Sequence, residues 1–461
     1  MNLAIDRIED WLGDARRIGP AADGPIGSIS TDTRTIGPGA LYVALRGERF
    51  DGHDFIDQAL AAGACGLVLD HPPATEPAVP TWIVADTLVA LGRLAAGWRR
   101  QHSLPVVAVL GSNGKTTVKE MITAILRAAL GEAAVLSTPG NFNNAVGLPL
   151  TLFGLRAEHR VAVLELGTNH PGEIAQLAPI AAPQVVVITN AQREHQEFLE
   201  GVLGSARENG SAIASLPSDG VAVYPGDDDC APVWDVASGA RRRIRFGLGE
   251  AALGLELQAP YDSRPEGFVA TAFGTPITLR LAIAGRHNVR NALAAAAAAL
   301  ALNIRPDFIA AGLAAFRPVN GRLCWLHGRA GARVIDDTYN ANPDSVRAAI
   351  EVLAGEPAPR VLVLGAMAEV GERGPAFHAE IGRFARECGI NHLLALGEAC
   401  EPAVLAYGDR AVLAKDLRAL LRALEPLAVA GSTVLVKGSR GMRMERVLAE
   451  ICDEAPSAGG H

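Results

Sequence analysis

Short apolar runs alternate with segments of helical periodicity through the middle of the chain, from about residue 85 to 316. The clearest runs are VVAVL (106–110), VAVLEL (161–166), QVVVIT (184–189) and GVAVYP (220–225). Continuous apolar runs of this length are typical of strands that are buried on both faces. Their alternation with helices predicts an α/β domain with a doubly wound, mostly parallel sheet.

Shorter blocks flank this region and repeat the same pattern. Residues 1–84 contain the strand candidate GALYVAL and a helix that leads into a second strand, which predicts a small mixed α/β domain. Residues 317–461 contain the apolar runs of ARVIDD, RVLVLG, HLLALG and STVLVKG, with helical segments between them, which predicts a Rossmann-like α/β domain. The length of 461 residues also fits three domains. We therefore expect domains at 1–84, 85–316 and 317–461.

Composition and charge narrow the class of protein. The net charge of −8 argues against nucleic acid or an anionic membrane as the main binding target. None of the six cysteines lies in a C-x-x-C pair, so neither a zinc site nor a disulfide framework is indicated. The N-terminus is not a signal peptide, and the apolar segment NALAAAAAALAL (291–302) is too short to span a membrane, so we expect a buried helix there. These features predict a cytoplasmic protein without a membrane span.

The segment GSNGKTT (111–117) follows the VVAVL strand and precedes an amphipathic helix. It is a shortened form of the G-x-x-x-x-G-K-[ST] loop, because the first glycine of that pattern is replaced by Val109. A strand, a glycine turn and a helix N-terminus gather N–H groups and a positive dipole end around an anion. We predict that Lys115 reaches nucleotide phosphates and that Thr116 binds Mg²⁺. The alternative is a glycine-rich turn that binds nothing.

Polar residues at two other strand ends are candidates for the same site. Glu165 ends the strand VAVLEL, and His195 follows the strand QVVVIT. Ligands of open α/β sheets bind at the carboxyl ends of the strands, where a carboxylate can bind Mg²⁺. An ion pair with a nearby Lys or Arg is an equal alternative for Glu165. A lone His is more often a satisfied polar residue, and His is an unusual ligand of Mg²⁺.

Further candidates lie in the last third of the chain. Asn288 and Asn291 stand three residues apart at a helix start, where they can read an adenine edge, although Asn288 can instead cap the helix. Arg322 offers a planar donor suited to phosphate. Asp336 and Asp337 end a strand, so we expect one acid to face a ligand and the other to cap or pair.

Two polar segments have no clear chemistry on their own. One surrounds Thr33 and Arg34 in STDTR, and the other is TPGNFNNAVGLPLTL, which contains Thr138, Asn141 and Asn144. Each is either a surface loop or a substrate-facing segment.

Taken together, these motifs resemble the Mur ligases, the ATP-dependent enzymes that build the peptide of bacterial cell-wall precursors. GSNGKTT, VLELGTNHPGEI with its glutamate, a His after the next strand, GRHNVRNALAA, NGR and IDDTYNANP occur in this order over nearly the whole chain. Within the family, DDTYNANPDS, TPGNFNNAVGLPLTL and VLGAMAEVGE are similar to the members that add D-alanyl-D-alanine. The related ligase that adds the third amino acid typically carries D-Y-A-H-x-P at the position of Asp337, which is absent here.

The resemblance implies roles for these residues. It implies ATP and Mg²⁺ as cofactors, and UDP-N-acetylmuramoyl-tripeptide and D-Ala-D-Ala as substrates, in a monomer that serves peptidoglycan synthesis and thereby cell shape and division. It implies catalytic roles for Lys115, His195 and Arg322, and metal binding by Thr116, Glu165 and His195. The implied ATP-binding residues are Gly111, Ser112, Asn113, Gly114, Lys115, Thr116, Thr117, Asn288, Asn291, Arg322 and Asp337. The implied substrate-binding residues are Thr33, Arg34, Thr138, Asn141, Asn144 and Asn340.

One position departs from the family pattern. Many Mur ligases have a carbamylated Lys fourteen residues after the His, bridging to metal, and this position is Asn209 here. The departure leaves Glu208 as a candidate anionic substitute. The alternatives to a D-alanyl-D-alanine-adding enzyme are the ligase that adds the third amino acid, a folylpolyglutamate-type ligase, and a nucleotide-binding regulator that has lost a metal site. The sequence does not determine whether the tripeptide carries diaminopimelate or lysine.

Overall fold

The computed structural model describes residues 1–21, 24–47, 50–194, 197–262 and 264–454. Within these ranges the strands form three separate sheets that follow one another along the chain. The α/β architecture predicted from the apolar runs is therefore present in each third of the molecule. The domain limits at 84 and 316 remain predictions. None of the helices in the described ranges has the length and apolar character needed to cross a membrane.

The N-terminal domain is built on a mixed sheet in the order β1-β5-β4-β3-β2, in which β1 is antiparallel to β5 and the other pairs are parallel. Helix α3 follows this sheet and packs against the central domain. The elements are α1 (Ile5–Leu12), β1 (Arg16–Ile18), β2 (Ser28–Ser30), β3 (Ala40–Val43), α2 (Ile56–Ala61), β4 (Ala64–Leu69), β5 (Thr81–Ile83) and α3 (Thr87–Arg100).

The central domain contains the largest sheet. Its elements are β6 (Val106–Leu110), α4 (Lys115–Leu130), β7 (Val135–Ser137), α5 (Gly147–Leu152), β8 (Val161–Glu165), α6 (Glu173–Ala181), β9 (Val185–Ile188), α7 (Gly201–Gly210), β10 (Val221–Pro225), α8 (Ala231–Ser238), β11 (Arg242–Leu248), β12 (Leu257–Ala259), β13 (Phe268–Ala272), β14 (Thr275–Leu279), α9 (Arg286–Ala301) and α10 (Pro306–Ala315). The described strands follow the order β14-β13-β12-β11-β10-β9-β6-β8-β7. The sheet is parallel from β7 to β12, and β13 and β14 add an antiparallel edge.

Both faces of the central sheet are covered, as the continuous apolar runs predict. Along β6, Val107 and Val109 belong to the core that includes α4 and α9, while Ala108 and Leu110 belong to the core on the other face. Strand β6 lies between β8 and β9, which places the loop after β6 in the crevice where ligands of such sheets bind.

The Ala-rich segment forms the buried helix that the sequence predicts. Helix α9 packs against α4 and the sheet, and its alanines allow close approach. A second close contact joins α4 to α10. A Cβ built on Gly312 of α10 would lie 2.3 Å from the Cα of Ile125 in α4. Glycine is therefore required where these two helices touch.

The C-terminal domain has a sheet in the order β15-β16-β20-β17-β18-β19, parallel except for the edge strand β15. Its elements are β15 (Cys324–His327), β16 (Arg333–Asp337), α11 (Pro343–Ala354), β17 (Arg360–Gly365), α12 (Gly374–Glu387), β18 (His392–Leu396), α13 (Glu401–Tyr407), β19 (Ala411–Ala414), α14 (Leu417–Leu424), β20 (Thr433–Lys437) and α15 (Glu445–Ile451). The register of β16 and β20 pairs Asp337 with Lys437 at the carboxyl end of this sheet.

Candidate active site

A cavity of about 1050 Å³ lies between the central and C-terminal domains. Its walls come from the loop after β6, the ends of β8, β9, β16 and β20, and the first turns of α9 and α11. The polar residues at the carboxyl ends of the two sheets therefore face each other across one space.

The glycine loop after β6 is fixed by hydrogen bonds to the protein. The Gly111 N–H donates to Asn209 Oδ1 (2.9 Å), the Ser112 N–H to the Asn190 carbonyl (3.2 Å), and the Asn113 N–H to Asn190 Oδ1 (2.9 Å). Gly111 has a φ of 121° and does not line the cavity, and its N–H group is already bonded within the protein, so its contact with nucleotide stays a prediction. The donors left for an anion are those of the first turn of α4, whose N–H groups have no acceptor within a helix.

Lys115 begins α4 and lines the cavity, as predicted. Its ammonium group donates to the Gly111 carbonyl (2.6 Å) and the Ser112 carbonyl (3.2 Å). It also lies 3.2 Å from Glu194 Oε2, and the Glu194 side chain is only 5% exposed. Lys115 is therefore folded over its own loop beside a buried carboxylate.

Thr116 and Glu165 are in direct contact at the base of the cavity. The Thr116 hydroxyl donates to Glu165 Oε2 (2.8 Å), and the Asn143 amide donates to Glu165 Oε1 (2.8 Å). Within the described ranges no Lys or Arg pairs with Glu165, so the ion-pair alternative is not what the structure has. Two neighbouring oxygen donors in a closed, polar site match the ligand preference of Mg²⁺. Asn143 is a residue that sequence reasoning missed, although its segment TPGNFNNAVG was singled out.

Thr138 is bonded within the protein, behind the cavity wall. Its side chain is 1% exposed and does not line the cavity. Instead the Thr138 hydroxyl accepts from the Glu165 N–H (3.0 Å), and the Thr138 carbonyl accepts from the Lys119 ammonium group (2.7 Å). Thr138 therefore holds the strand that carries Glu165, and its contact with substrate stays a prediction.

The first turn of α9 reaches the glycine loop. Asn288 and Asn291 both line the cavity, and the Asn291 amide donates to Asn288 Oδ1 (3.1 Å). The Asn288 amide donates to the Ala284 carbonyl (2.6 Å), so the side chain does not cap the helix. His287, next to them, lies among protein groups that exclude water, and this lowers its pKa to about 4. Arg286 and Arg290 of the same helix also line the cavity, so this side carries positive charge beside the two amides.

The C-terminal domain contributes one cation directly to the loop. Arg322 Nη2 donates to Thr116 Oγ1 (2.9 Å), and the Arg322 guanidinium lies 4.0 Å from the centre of the Tyr339 ring. Arg322 Nε is buried without an acceptor in the described ranges. A buried, unsatisfied N–H of Arg beside a phosphate-type loop fits an anionic ligand.

The two acids at the end of β16 divide as predicted. Asp336 is 1% exposed and accepts from the Gly321 N–H and the Thr338 hydroxyl, and burial raises its pKa. Asp337 lines the cavity, with Oδ2 2.5 Å from Lys437 Nζ. Lys437 also donates to the Asn340 carbonyl (2.9 Å), which brings Asn340 to the wall.

The remaining predicted residues are placed in different surroundings. Ser112, Asn113, Gly114, Thr117, Asn141 and Asn144 line the cavity. Asn144 Oδ1 also accepts from the N–H groups of Val146 and Gly147, at the start of α5. Thr33 and Arg34 lie on the turn after β2, outside the cavity lining, with the exposed Arg34 side chain bonded to Asp32. His195 lies outside the described residues.

Comparison with known proteins identifies this architecture. Residues 25–99 match the catalytic domain of the Mur ligase family, residues 109–299 the Mur ligase middle domain, and residues 321–440 the Mur ligase glutamate ligase domain. The chain belongs to the Mur ligase family. The predicted fold class and family resemblance are thereby confirmed.

Relatives that match the whole chain share one name. A UDP-N-acetylmuramoyl-tripeptide–D-alanyl-D-alanine ligase of Escherichia coli is 38% identical, over 98% of both chains. The structure of MurF from Acinetobacter baumannii superposes with a TM-score of 0.89 at 33% identity, covering 98% of both chains. MurF of Thermotoga maritima in complex with ADP superposes with a TM-score of 0.81 at 28% identity, covering 92% of this chain and 97% of that one. The predicted placement among the D-alanyl-D-alanine-adding Mur ligases is confirmed.

At the position where many Mur ligases carry a carbamylated Lys, this chain has Asn209, which is bonded to the glycine loop. The Asn209 side chain is 1% exposed and holds the Gly111 N–H, while its own amide donates to the Ser205 carbonyl (2.8 Å). Glu208 is not the anionic substitute. Its two oxygens accept from the Gly172 and Ile174 N–H groups at the start of α6, and it does not line the cavity.

Sequence reasoning also missed Arg193 and Glu194. Both line the cavity in the loop after β9, one next to the other. Their contacts join segments that are far apart in the chain, so no local pattern distinguishes them from solvated residues. Only the position after a strand of the same sheet pointed to this loop.

Proposed function

We propose that this Mur ligase joins D-alanyl-D-alanine to UDP-N-acetylmuramoyl-tripeptide, at the expense of ATP, through an acyl phosphate. The observation that supports the proposal is the set of Lys115, Thr116, Glu165 and Arg322 in one cavity between two domains. The names of the full-length relatives support the substrate pair.

In the first step, an oxygen of the tripeptide carboxylate attacks the γ-phosphorus of ATP, and ADP leaves. The reaction needs the triphosphate and the carboxylate to be held in line while their negative charges are neutralised. Lys115 and the N–H groups of the first turn of α4 provide fixed donors on one side. Arg322 provides a planar donor from the opposite domain, 2.9 Å from Thr116 Oγ1.

In the second step, the free amine of D-alanyl-D-alanine attacks the acyl carbon, phosphate leaves and the amine gives up a proton. Water would destroy the acyl phosphate, so the reaction favours a site enclosed by both domains. Asn141 and Asn340 lie on the cavity wall as candidate contacts for the two peptides.

Mg²⁺ is the metal that fits the residues present. Thr116 Oγ1 and Glu165 Oε2 would hold it, and Asn143 and Thr138 orient Glu165 from behind. When bound, the cation neutralises charge that develops on the phosphate oxygens. A contribution of His195 to a second metal remains a prediction.

The decisive experiment is Lys115→Ala in a coupled assay of ADP release with both peptide substrates. Removal of the loop cation should lower kcat/KM by about a thousandfold, because the ammonium group contacts phosphate most strongly in the transition state. Lys415→Ala is the control, since Lys415 is exposed and does not line the cavity. Turnover of Lys115→Ala close to that of Lys415→Ala would rule out the assigned loop.

The same assay distinguishes the alternative ligases. A panel of UDP-linked peptides that end in diaminopimelate or lysine, each with D-alanyl-D-alanine or a single amino acid, identifies the acceptor and the donor. Formation of a new amide bond only with a single amino acid or with glutamate would favour one of the related ligases.

A further inference from the structure

Arg193 connects the central domain to two carboxylates of the C-terminal domain. Its backbone N–H donates to Asp344 Oδ2 (2.8 Å) and its Nη2 to Asp344 Oδ1 (2.6 Å). The same guanidinium donates to Glu380, from Nη1 to Oε2 (2.8 Å) and from Nη2 to Oε1 (3.1 Å). One planar fork therefore bonds both acids at once, a geometry that Lys cannot reproduce.

The three side chains are shielded from solvent where the domains meet. Arg193, Asp344 and Glu380 are 21%, 21% and 28% exposed. The hydrogen bonds to Asp344 and Glu380 raise the pKa of Arg193, and those from Arg193 lower the pKa of Glu380. Removal of one member of a shielded charge pair leaves the other charge without its neighbour, which costs more than the loss of an exposed pair.

Other polar contacts between these domains involve the glycine loop itself. Arg322 donates to Thr116, and the Asn342 amide donates to Asn113 Oδ1 (2.8 Å). These groups lie where a nucleotide would bind. The Arg193 contacts involve no residue of that loop, although Arg193 and Asp344 line the same cavity.

Asp344 stands in the first turn of α11, which begins directly after Asn342. A bond to Asp344 therefore fixes the helix end that touches the glycine loop. We propose that Arg193 is a positioning residue that holds α11 against the central domain and so sets the closed arrangement in which Arg322 and Asn342 reach the loop. The inference rests on the proposed function for its effect on turnover, but not for its effect on domain arrangement.

The test compares Arg193→Ala with Arg245→Ala by small-angle X-ray scattering and by steady-state kinetics. Arg245 is a matched control, because its guanidinium also bonds a carboxylate twice, that of Glu256, at similar exposure but within the central domain. Without ligand, Arg193→Ala should have a larger radius of gyration than wild type. Its KM for ATP should rise about tenfold while kcat changes less than about threefold, because a smaller closed fraction lowers apparent affinity.

A second variant keeps the inference testable if Arg193→Ala folds poorly. Asp344→Asn removes one charge, so its radius of gyration and its KM for ATP should rise as in Arg193→Ala, but by less. The double variant should show changes no larger than those of Arg193→Ala alone. The inference would be overturned if Arg193→Ala and Arg245→Ala had the same radius of gyration and the same KM for ATP. It would also be overturned if the effects of Arg193→Ala and Asp344→Asn were fully additive in the double variant. Absence of turnover in wild type would instead contradict the proposed function, and the scattering comparison would still decide the role of Arg193.

Discussion

At the scale of single residues, the glycine loop has a cation and a carboxylate in contact, Lys115 and Glu194. The Glu194 carboxylate lies 3.2 Å from the Lys115 ammonium group, which we propose binds phosphate. A phosphate that approaches Lys115 therefore competes with a fixed negative charge in a partly buried site, where such interactions are only weakly screened.

This competition predicts that Glu194→Gln binds ADP more tightly in the absence of Mg²⁺. Removal of the negative charge should lower Kd by about three- to tenfold, measured by isothermal titration calorimetry at low salt. Glu256→Gln is the control, since it removes a carboxylate that is bonded to Arg245 outside the cavity. Weaker binding by Glu194→Gln than by this control would contradict the prediction.

The residue scale also shows where sequence reasoning stops. Lys115, Thr116 and Glu165 were predictable, because a loop motif and a strand end place them without knowledge of distant contacts. Asn209 was not, since its bond to Gly111 joins residues 98 positions apart. The partners of Thr138 and Glu194 were not predictable either. Polar residues beside a motif look alike in the sequence until the fold determines the hydrogen bonds of each one.

At the scale of elements, the packing of α10 against α4 depends on one glycine, Gly312. Gly312→Ala should lower the free energy of unfolding by about 1–3 kcal/mol, since its Cβ would overlap the backbone of α4. Gly204→Ala in α7 is the matched control. Its Cβ would meet Glu200 at 3.5 Å, an ordinary contact, so the gain in helix propensity should leave stability equal or about 0.5–1 kcal/mol higher.

Chemical denaturation of the two glycine variants measures these differences. Equal stabilities would show that α10 can move away from α4 at no cost.

The strands and α9 were predictable at this scale, because a run of apolar residues or alanines is a local signal. The order of the strands was not, since pairing between β6, β8 and β9 depends on contacts across the whole domain.

At the scale of the molecule, a cavity shared by two domains couples their stabilities. A ligand that contacts both the glycine loop and Arg322 should stabilise the central and C-terminal domains together. ADP at about one hundred times its Kd should add about 2.7 kcal/mol to the folded state and raise Tm in a calorimetric scan.

The same scan on Lys115→Ala should show a smaller shift at equal ADP concentration. A shift confined to one transition, with the C-terminal domain unfolding at its original temperature, would mean that ADP contacts the central domain alone.

The presence of three α/β domains was predictable, because apolar runs alternate with helical segments along the chain. Their closed arrangement was not predictable, because it depends on contacts between distant residues, such as those of Arg193.

The last turn of α7 has a consequence for how this chain tolerates change in length. Glu208 accepts a hydrogen bond from the start of α6, and its neighbour Asn209 accepts one from the glycine loop. The positions of these two segments therefore depend on adjacent residues of one helix. Each residue of a helix advances the side chains by about 100° around its axis. A single insertion or deletion within α7 would turn both side chains away at once, so we expect natural length variation to avoid this helix.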